Sequence, residues 1–130
     1  MRRIEYGVEF AVSNLVNGTV RITGFAALPP DNRVFIPETI GNRKVTELAD
    51  GLFKDKANLE VVVLPEGLRR IGSGAFSGCT GLKRLEFQSE PPQVDGNLSL
   101  DPSKVTIYVP ADMLEWQGVS IWQDCPVIAR

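Results

Sequence analysis

The most regular feature of the chain is a pattern of apolar residues and glycines that occurs twice, 23 residues apart. Residues 47–59 align with residues 70–82, and the shared positions are Gly51/Gly74, Phe53/Phe76, Leu59/Leu82, Leu48/Ile71 and Leu52/Ala75. Self-similarity at this period is typical of stacked repeats, in which each unit buries its apolar face against the next one. We therefore predict a solenoid in which Phe53 and Phe76 stack on each other in the interior.

Each copy leads into a short run in which alternate residues are apolar, and this predicts one half-buried strand per repeat. These runs lie at residues 61–64 and 84–87, with further matches at residues 33–36 and 106–109. The first match lies 28 residues upstream of its counterpart, and the five additional residues fit a surface turn at residues 41–44. Because residues 89–102 lack the Gly-x-Phe core, we count two full repeats with a partial repeat on each side.

The N-terminal segment predicts a hairpin. Its first strand has one apolar face, formed by Tyr6, Val8, Phe10 and Val12. Asn17 and Gly18 form a strong turn signal, because both residues accept a positive φ. The hairpin should cover the first repeat, whose core and strand edge would otherwise be exposed.

The C-terminal segment predicts a second cap. Asp112 and Glu115 have the spacing of an N-cap residue and its acidic partner, which predicts a short helix over residues 113–118. Terminal repeats of a stack need covering. The apolar lids predicted on the last repeat are Leu114, Trp116 and Trp122.

Residues 68–85, with their Gly-Ala-Phe-Ser-Gly-Cys core, closely resemble the bacterial BspA-like leucine-rich repeats. The resemblance extends over roughly residues 17–122, although the first copy departs from the family pattern at Leu52 and Lys56. It implies a mainly β solenoid: a right-handed leucine-rich-repeat coil with parallel strands, an N-terminal β-hairpin cap and a short C-terminal helix or cap. It also implies an interaction module, often secreted or on a bacterial surface, with no catalytic residues and no cofactor.

A chain of 130 residues is long enough to bury a core as one domain. We divide it into a hairpin cap at residues 5–32, leucine-rich repeats at residues 33–90, and a divergent last repeat with the C-terminal cap at residues 91–130. The net charge of −2, with both signs interspersed, argues against a nucleic-acid partner. No run of about 18 apolar residues predicts a membrane span. Polar residues interrupt residues 4–16, which therefore do not resemble a signal peptide, and the compartment stays open.

Two features that could suggest chemistry are better explained by the repeat. Residues 72–78 resemble a relaxed dinucleotide-binding pattern, but the first copy lacks two of its glycines, at Ala49 and Asp55. The pattern therefore predicts a recurring turn and not a phosphate site. Cys79 is predicted to fill the edge of the core as an unreactive thiol, because the chain has no histidine to activate it. Two distant cysteines without histidine also give no zinc pattern.

The strands predict which side chains face solvent, because alternate residues point to opposite sides and equivalent positions stack across a sheet. The row predicted to face the core consists of Val34, Val62, Leu85 and Ile107. One outward row then consists of Phe35, Val63, Glu86 and Tyr108, and the outward row next to it consists of Arg33, Val61, Arg84 and Thr106. Exposed apolar side chains rimmed by charge are typical of interaction sites. The alternative is that these residues are only good strand formers on a solvated sheet.

Together these observations predict a non-enzymatic leucine-rich-repeat module that binds a protein partner through the exposed face of a parallel sheet. The alternative is a structural or carbohydrate-adhering accessory domain of a bacterial cell-surface protein, with Tyr108, Arg84 and Glu86 as the candidate glycan-binding cluster. Catalysis is a third hypothesis, which no set of residues indicates. The chain is expected to be a monomer or to self-associate weakly, and the sequence does not identify the partner.

Overall fold

The structure is a computed structural model that describes the backbone of residues 2–5 and the complete residues 8–130. Tyr6, predicted on the first strand, lies outside the described residues. The described chain is built from short strands and a single-turn 3-10 helix, Leu114–Trp116. The strands are β1 (Arg2–Glu5), β2 (Val8–Asn14), β3 (Val20–Phe25), β4 (Arg33–Phe35), β5 (Thr39–Ile40), β6 (Arg43–Leu48), β7 (Val61–Val63), β8 (Arg70–Ile71), β9 (Arg84–Glu86), β10 (Gln93–Val94), β11 (Thr106–Val109), β12 (Ile121–Trp122) and β13 (Cys125–Ala129).

Five strands form a sheet that we call the repeat sheet: β4, β7, β9, β11 and β13 lie side by side in this order, and all are parallel. β12 pairs antiparallel with β13 and forms the C-terminal edge. The predicted inward row is confirmed by fully buried neighbours on the first four strands, which are Val34, Val62, Leu85 and Ile107. The alternation in each repeat places these side chains at the same position in successive coils, so that they pack on one another in one interior.

A second sheet carries the apolar residues that precede each Gly-x-Phe segment, and its strand order is β1-β2-β3-β6-β8-β10. Leu48 on β6 lies directly beside Ile71 on β8, and both side chains are buried. The chain turns between a strand of the second sheet and the next strand of the repeat sheet. The equivalent turns of successive coils are hydrogen-bonded to each other: the Phe53 N–H donates to the Ala75 carbonyl at 2.8 Å. Each coil therefore lies in hydrogen-bonded contact with the next one, as a solenoid requires.

The predicted N-terminal hairpin is present, but its connection is longer than the tight Asn17-Gly18 turn expected from the sequence. The connection spans residues 15–19, and the Gly18 N–H donates to the Leu15 carbonyl at 3.1 Å. Gly18 has a φ of 87°, whereas Asn17 is not among the described residues with positive φ. The Asn17 side-chain oxygen instead accepts hydrogen bonds from the Thr19 amide and hydroxyl, at 3.1 and 2.6 Å.

This hairpin covers the core by joining the second sheet, since β3 pairs parallel with β6. Phe10, Val20 and Ile22 are fully buried. Phe25 extends the aromatic stack, because its ring centroid lies 5.0 Å from that of Phe53. The hairpin thus seals the interior but adds no strand to the repeat sheet, in which β4 remains the end strand.

The insertion predicted at residues 41–44 forms a small surface hairpin between β5 and β6. Gly41 and Asn42 connect the two strands with φ values of 59° and 64°. Two consecutive positive φ angles define the two-residue turn whose twist matches that of antiparallel strands. The extra residues of this repeat are therefore accommodated outside the solenoid, as predicted.

Residues 89–102 complete a coil, which corrects the count of two full repeats. β10 pairs parallel with β8, so this segment supplies a strand to the second sheet. Gly96 has a φ of 65°, close to the 64° of Gly74, and Leu98 is fully buried two residues later. The coil therefore keeps its glycine turn and has Leu98 where the two preceding coils have phenylalanine.

The C-terminal cap differs from the predicted helix. The 3-10 helix has Met113 at its N-cap, and no described side chain caps it, so the capping role predicted for Asp112 and Glu115 is wrong. Trp116 is 2% exposed and covers the last coil as predicted, whereas Leu114 is 81% exposed and is not a lid. None of the helices in the described part of the chain has the length and apolar character needed to cross a membrane.

Candidate interaction face

The outward side of the repeat sheet brings together the residues predicted from the repeat register. Phe35 lies beside Val63, Val63 beside Glu86, and Glu86 beside Tyr108. The parallel row of Arg33, Val61, Arg84 and Thr106 is aligned in the same way. Phe35 is 42% exposed. Val63, Glu86 and Tyr108 are half-buried by their neighbours in the row.

The face continues beyond the predicted residues, onto β13 and β12. Ile128 lies directly beside Tyr108 and is 46% exposed. Pro126 points to the same side of β13, and Ile121 lies opposite it on β12 with 65% exposure. Sequence reasoning missed this extension because β13 follows no Gly-x-Phe segment; the available signal was the similarity of residues 127–129 to residues 107–109.

Two arginines lie over the ring of Tyr108 and form the centre of this face. The guanidinium carbon of Arg84 is 4.4 Å from the ring centroid, and that of Arg130 is 4.1 Å from it. Arg84 lies on β9 and Arg130 directly follows β13, and these two strands flank β11, which carries Tyr108. Such stacking stabilises by about 0.5–1 kcal/mol at exposed sites, and it holds a guanidinium while its N–H groups stay available in the plane.

Glu86 links the two arginines. One of its carboxylate oxygens lies 3.6 Å from an Arg84 nitrogen, and the other lies 3.3 Å from an Arg130 nitrogen. Both distances are long for charge-assisted hydrogen bonds, which are usually about 2.7–2.9 Å. The side chains are 34%, 52% and 27% exposed for Arg84, Arg130 and Glu86 respectively, so solvent screens these pairs. We call Arg84, Glu86, Tyr108 and Arg130 the arginine–tyrosine cluster.

Two depressions lie at the ends of the same strands. One has a volume of about 400 Å³ and is lined by Phe35, Pro37 and Glu38 among others. The other has a volume of about 250 Å³ and extends to Tyr108, Pro110 and Arg130. They share Val63 and Gln88 as lining residues, and the Gln88 amide donates to the Leu64 carbonyl at 3.3 Å. The two depressions therefore adjoin each other along the outward face.

Cys79 and the glycine-rich segment at residues 72–78 have structural roles in the fold. The Cys79 thiol donates to the Phe53 carbonyl at 3.0 Å, and burial raises the pKa of this thiol. Residues 72–82 form consecutive turns that lie on the equivalent turns of the preceding coil. Among the residues that the structure describes, no three of the types His, Cys, Asp and Glu are grouped closely enough to hold a metal ion.

These observations define a leucine-rich-repeat protein: parallel strands at a short period, one glycine turn per coil and capped ends. The chain belongs to the family described as "BspA type Leucine rich repeat region (6 copies)", which matches residues 39–107, more than half of its length. Repeats of this family and fold are generally non-catalytic, and leucine-rich repeats generally mediate protein interactions. No curated protein matches the chain.

Among solved structures, the fold is similar to a leucine-rich cell surface protein from Faecalibacterium prausnitzii, with a TM-score of 0.62 and 26% sequence identity. The similarity covers 82% of the present chain and 30% of that protein's chain. The chain thus spans less than a third of the length of its structural relative.

Proposed function

We propose that the chain is a binding module whose outward face on the repeat sheet contacts a protein partner. The observation that carries this proposal is the difference between the two sheets. The outward row of the repeat sheet contains Phe35, Val63, Tyr108 and Ile128. On the second sheet, outward arginines are instead matched to carboxylates, with Arg21–Glu47 and Arg70–Asp95 pairs both at 2.8 Å.

A row that carries apolar or aromatic side chains on four of five neighbouring strands, with Glu86 on the other strand, suits protein recognition. Neighbouring strands lie about 4.8 Å apart, which makes the face about 20 Å wide. Aromatic and arginine side chains are enriched among the residues that dominate binding energy at protein interfaces. The arginine–tyrosine cluster lies within this face and combines both types.

The carbohydrate-binding alternative has one observation in its favour, which is the placement of Tyr108 next to the polar groups of Arg84 and Glu86. Sugars bind to an aromatic side chain by stacking on its ring. The guanidinium groups of Arg84 and Arg130 already lie over the Tyr108 ring. A glycan would have to displace one of them, so we favour the protein partner.

The structural relative is a bacterial cell surface protein, and we infer that the present chain serves as a repeat module of such a protein. The similarity covers only 30% of the relative's chain, so the inference concerns the module and not the activity of a whole surface protein.

Selection from a phage-displayed library of random peptides, run beside a glycan array, tests the proposed function. Peptides selected on the native chain should lose binding to Tyr108→Ala and Ile128→Ala, and should keep binding to Arg70→Ala, a matched change on the second sheet. The melting temperature of Ile128→Ala should stay nearly unchanged, whereas Tyr108→Ala also loses its two arginine contacts and should be somewhat less stable. Peptides that bind all variants equally, or an Ile128→Ala variant that loses several degrees of stability, would refute the proposal. Glycans that bind in a Tyr108-dependent manner would favour the carbohydrate alternative.

A further inference from the structure

We propose, building on the proposed function, that the partner segment is acidic: it presents carboxylates next to an aliphatic side chain. The first argument is charge. The outward side chains of the five parallel strands, with Arg130 at the end of β13, include three arginines and one carboxylate. The chain as a whole has a net charge of −2, so this face is basic on an acidic protein. Complementary charge steers association and fixes register.

The second argument is that the arginine–tyrosine cluster is short of one carboxylate. Glu86 is shared between Arg84 and Arg130, with one contact to each, at 3.6 and 3.3 Å. The second sheet shows a closer pairing, because Arg21 donates through two nitrogens to Glu47 at 3.0 and 2.8 Å. The two stacked guanidinium groups therefore retain N–H donors that a carboxylate from a partner can accept. With a carboxylate from the partner beside Glu86, the cluster would have one carboxylate for each arginine.

The third argument concerns what surrounds the cluster. Ile128 lies beside Tyr108 on one side of the cluster, and Val63 lies beside Glu86 on the other. An aliphatic side chain of the partner can pack on these residues while its carboxylate meets the guanidinium groups. Nucleic-acid binding depends on many cationic contacts to phosphate. Because Ile128 and Val63 offer no such contacts, they disfavour nucleic acid as the partner. Glu86 would also repel a phosphate backbone.

Peptides selected from the random library on the full chain, then synthesised with a fluorescent label, provide the test. They should be rich in Asp and Glu beside Leu, Ile or Phe, and higher salt should weaken their binding. Arg84→Gln and Arg130→Gln should each weaken binding about tenfold or more, because each change removes a charge-assisted hydrogen bond. Arg70→Gln, which removes a charge from the second sheet, should leave the affinity unchanged.

Glu86→Gln provides the sharpest arm of this test. It removes the carboxylate that competes for Arg84 and Arg130, so the affinity for an acidic peptide should rise severalfold. Unchanged or weaker binding by this variant would overturn the proposal. So would a selection that returns no acidic peptides.

The outcomes also separate this inference from the function on which it rests. Peptides without acidic residues that lose binding to Ile128→Ala but not to Arg84→Gln would overturn the acidic partner and leave the binding face intact. Peptides that are insensitive to every change on the repeat sheet would overturn both. Circular dichroism of each variant, compared with the native chain, establishes that these comparisons concern folded protein.

Discussion

The rings of Phe53 and Phe76 stack in the interior, with centroids 5.5 Å apart and an angle of 11° between their planes. The two residues occupy the same position in successive coils, and their side chains are 0% and 1% exposed. The backbones of these coils are joined by hydrogen bonds, such as that from the Phe53 N–H to the Ala75 carbonyl at 2.8 Å. The spacing between the coils is therefore set by the backbone, and the rings fill the space that this spacing leaves.

Phe76→Ala should lower the free energy of unfolding by about 3–5 kcal/mol, because hydrogen-bonded coils cannot close on the cavity. Urea denaturation measures this change. Phe76→Leu is the matched comparison and should cost clearly less, since Leu98 occupies the corresponding position of the next coil. A loss below about 1 kcal/mol for the alanine variant would show that the coils do collapse around the gap.

The repeat register was enough to predict the first four strands of the repeat sheet and the alignment of Phe35, Val63, Glu86 and Tyr108. In a parallel sheet without register shifts, equivalent residues of successive repeats become neighbours, so a sequence alignment is also a spatial one. Ile128 and Arg130 could not be found in this way. Their place beside Tyr108 depends on β13 returning to the sheet after the 3-10 helix, which is a tertiary contact without a repeat signal.

The C-terminal cap shows why a local pattern can mislead. Asp112 and Glu115 have suitable spacing for capping, but the segment forms one 3-10 turn that starts after Met113. A capping pattern stabilises a helix only where the chain has room to continue it. Here Trp116 packs against Phe87, with ring centroids 5.6 Å apart, and Gln117 after it has an extended backbone, so the helix ends after one turn.

Gly72→Ala should destabilise the protein by about 1–3 kcal/mol, the cost of overpacking a close contact. A methyl group at residue 72 would overlap with the backbone of Asp50 in the preceding coil, and a backbone atom cannot move aside as a flexible side chain can. Gly24→Ala is the control, because a methyl group there meets no described atom within 4 Å. Chemical denaturation of both variants measures the difference. Equal stability of the two would contradict the close stacking of turns.

The two thiols should react slowly with iodoacetamide at pH 8. Burial raises the pKa of Cys79 and Cys125, and the nearby Asp124 contributes at Cys125, so the reactive thiolate is scarce in the folded state. Labelling in urea should be much faster, and Cys79→Ala identifies the site by mass spectrometry. Because the pKa of Cys79 is higher in the folded than in the unfolded protein, the buried thiol stabilises the fold fully below the ordinary thiol pKa of 9.0. This stabilisation is lost as the pH rises above that value. Rapid labelling of folded protein would contradict this description of the thiols.

Trp116→Phe should lower the free energy of unfolding by about 1–3 kcal/mol, because it removes a donor from a buried carbonyl. The Trp116 indole N–H donates to the Ser89 carbonyl at 2.8 Å, and this bond joins the C-terminal cap to the coil beneath it. Trp122→Phe is the matched variant: Trp122 is half-buried and makes T-shaped ring contacts with Phe87 and Trp116, at 5.0 and 6.0 Å between centroids. Trp122→Phe should therefore lower the free energy of unfolding by less than Trp116→Phe does. Urea denaturation followed by far-ultraviolet circular dichroism compares the two without relying on tryptophan fluorescence. If Trp122→Phe proves to be the more damaging change, the hydrogen bond to Ser89 is not what holds the cap in place.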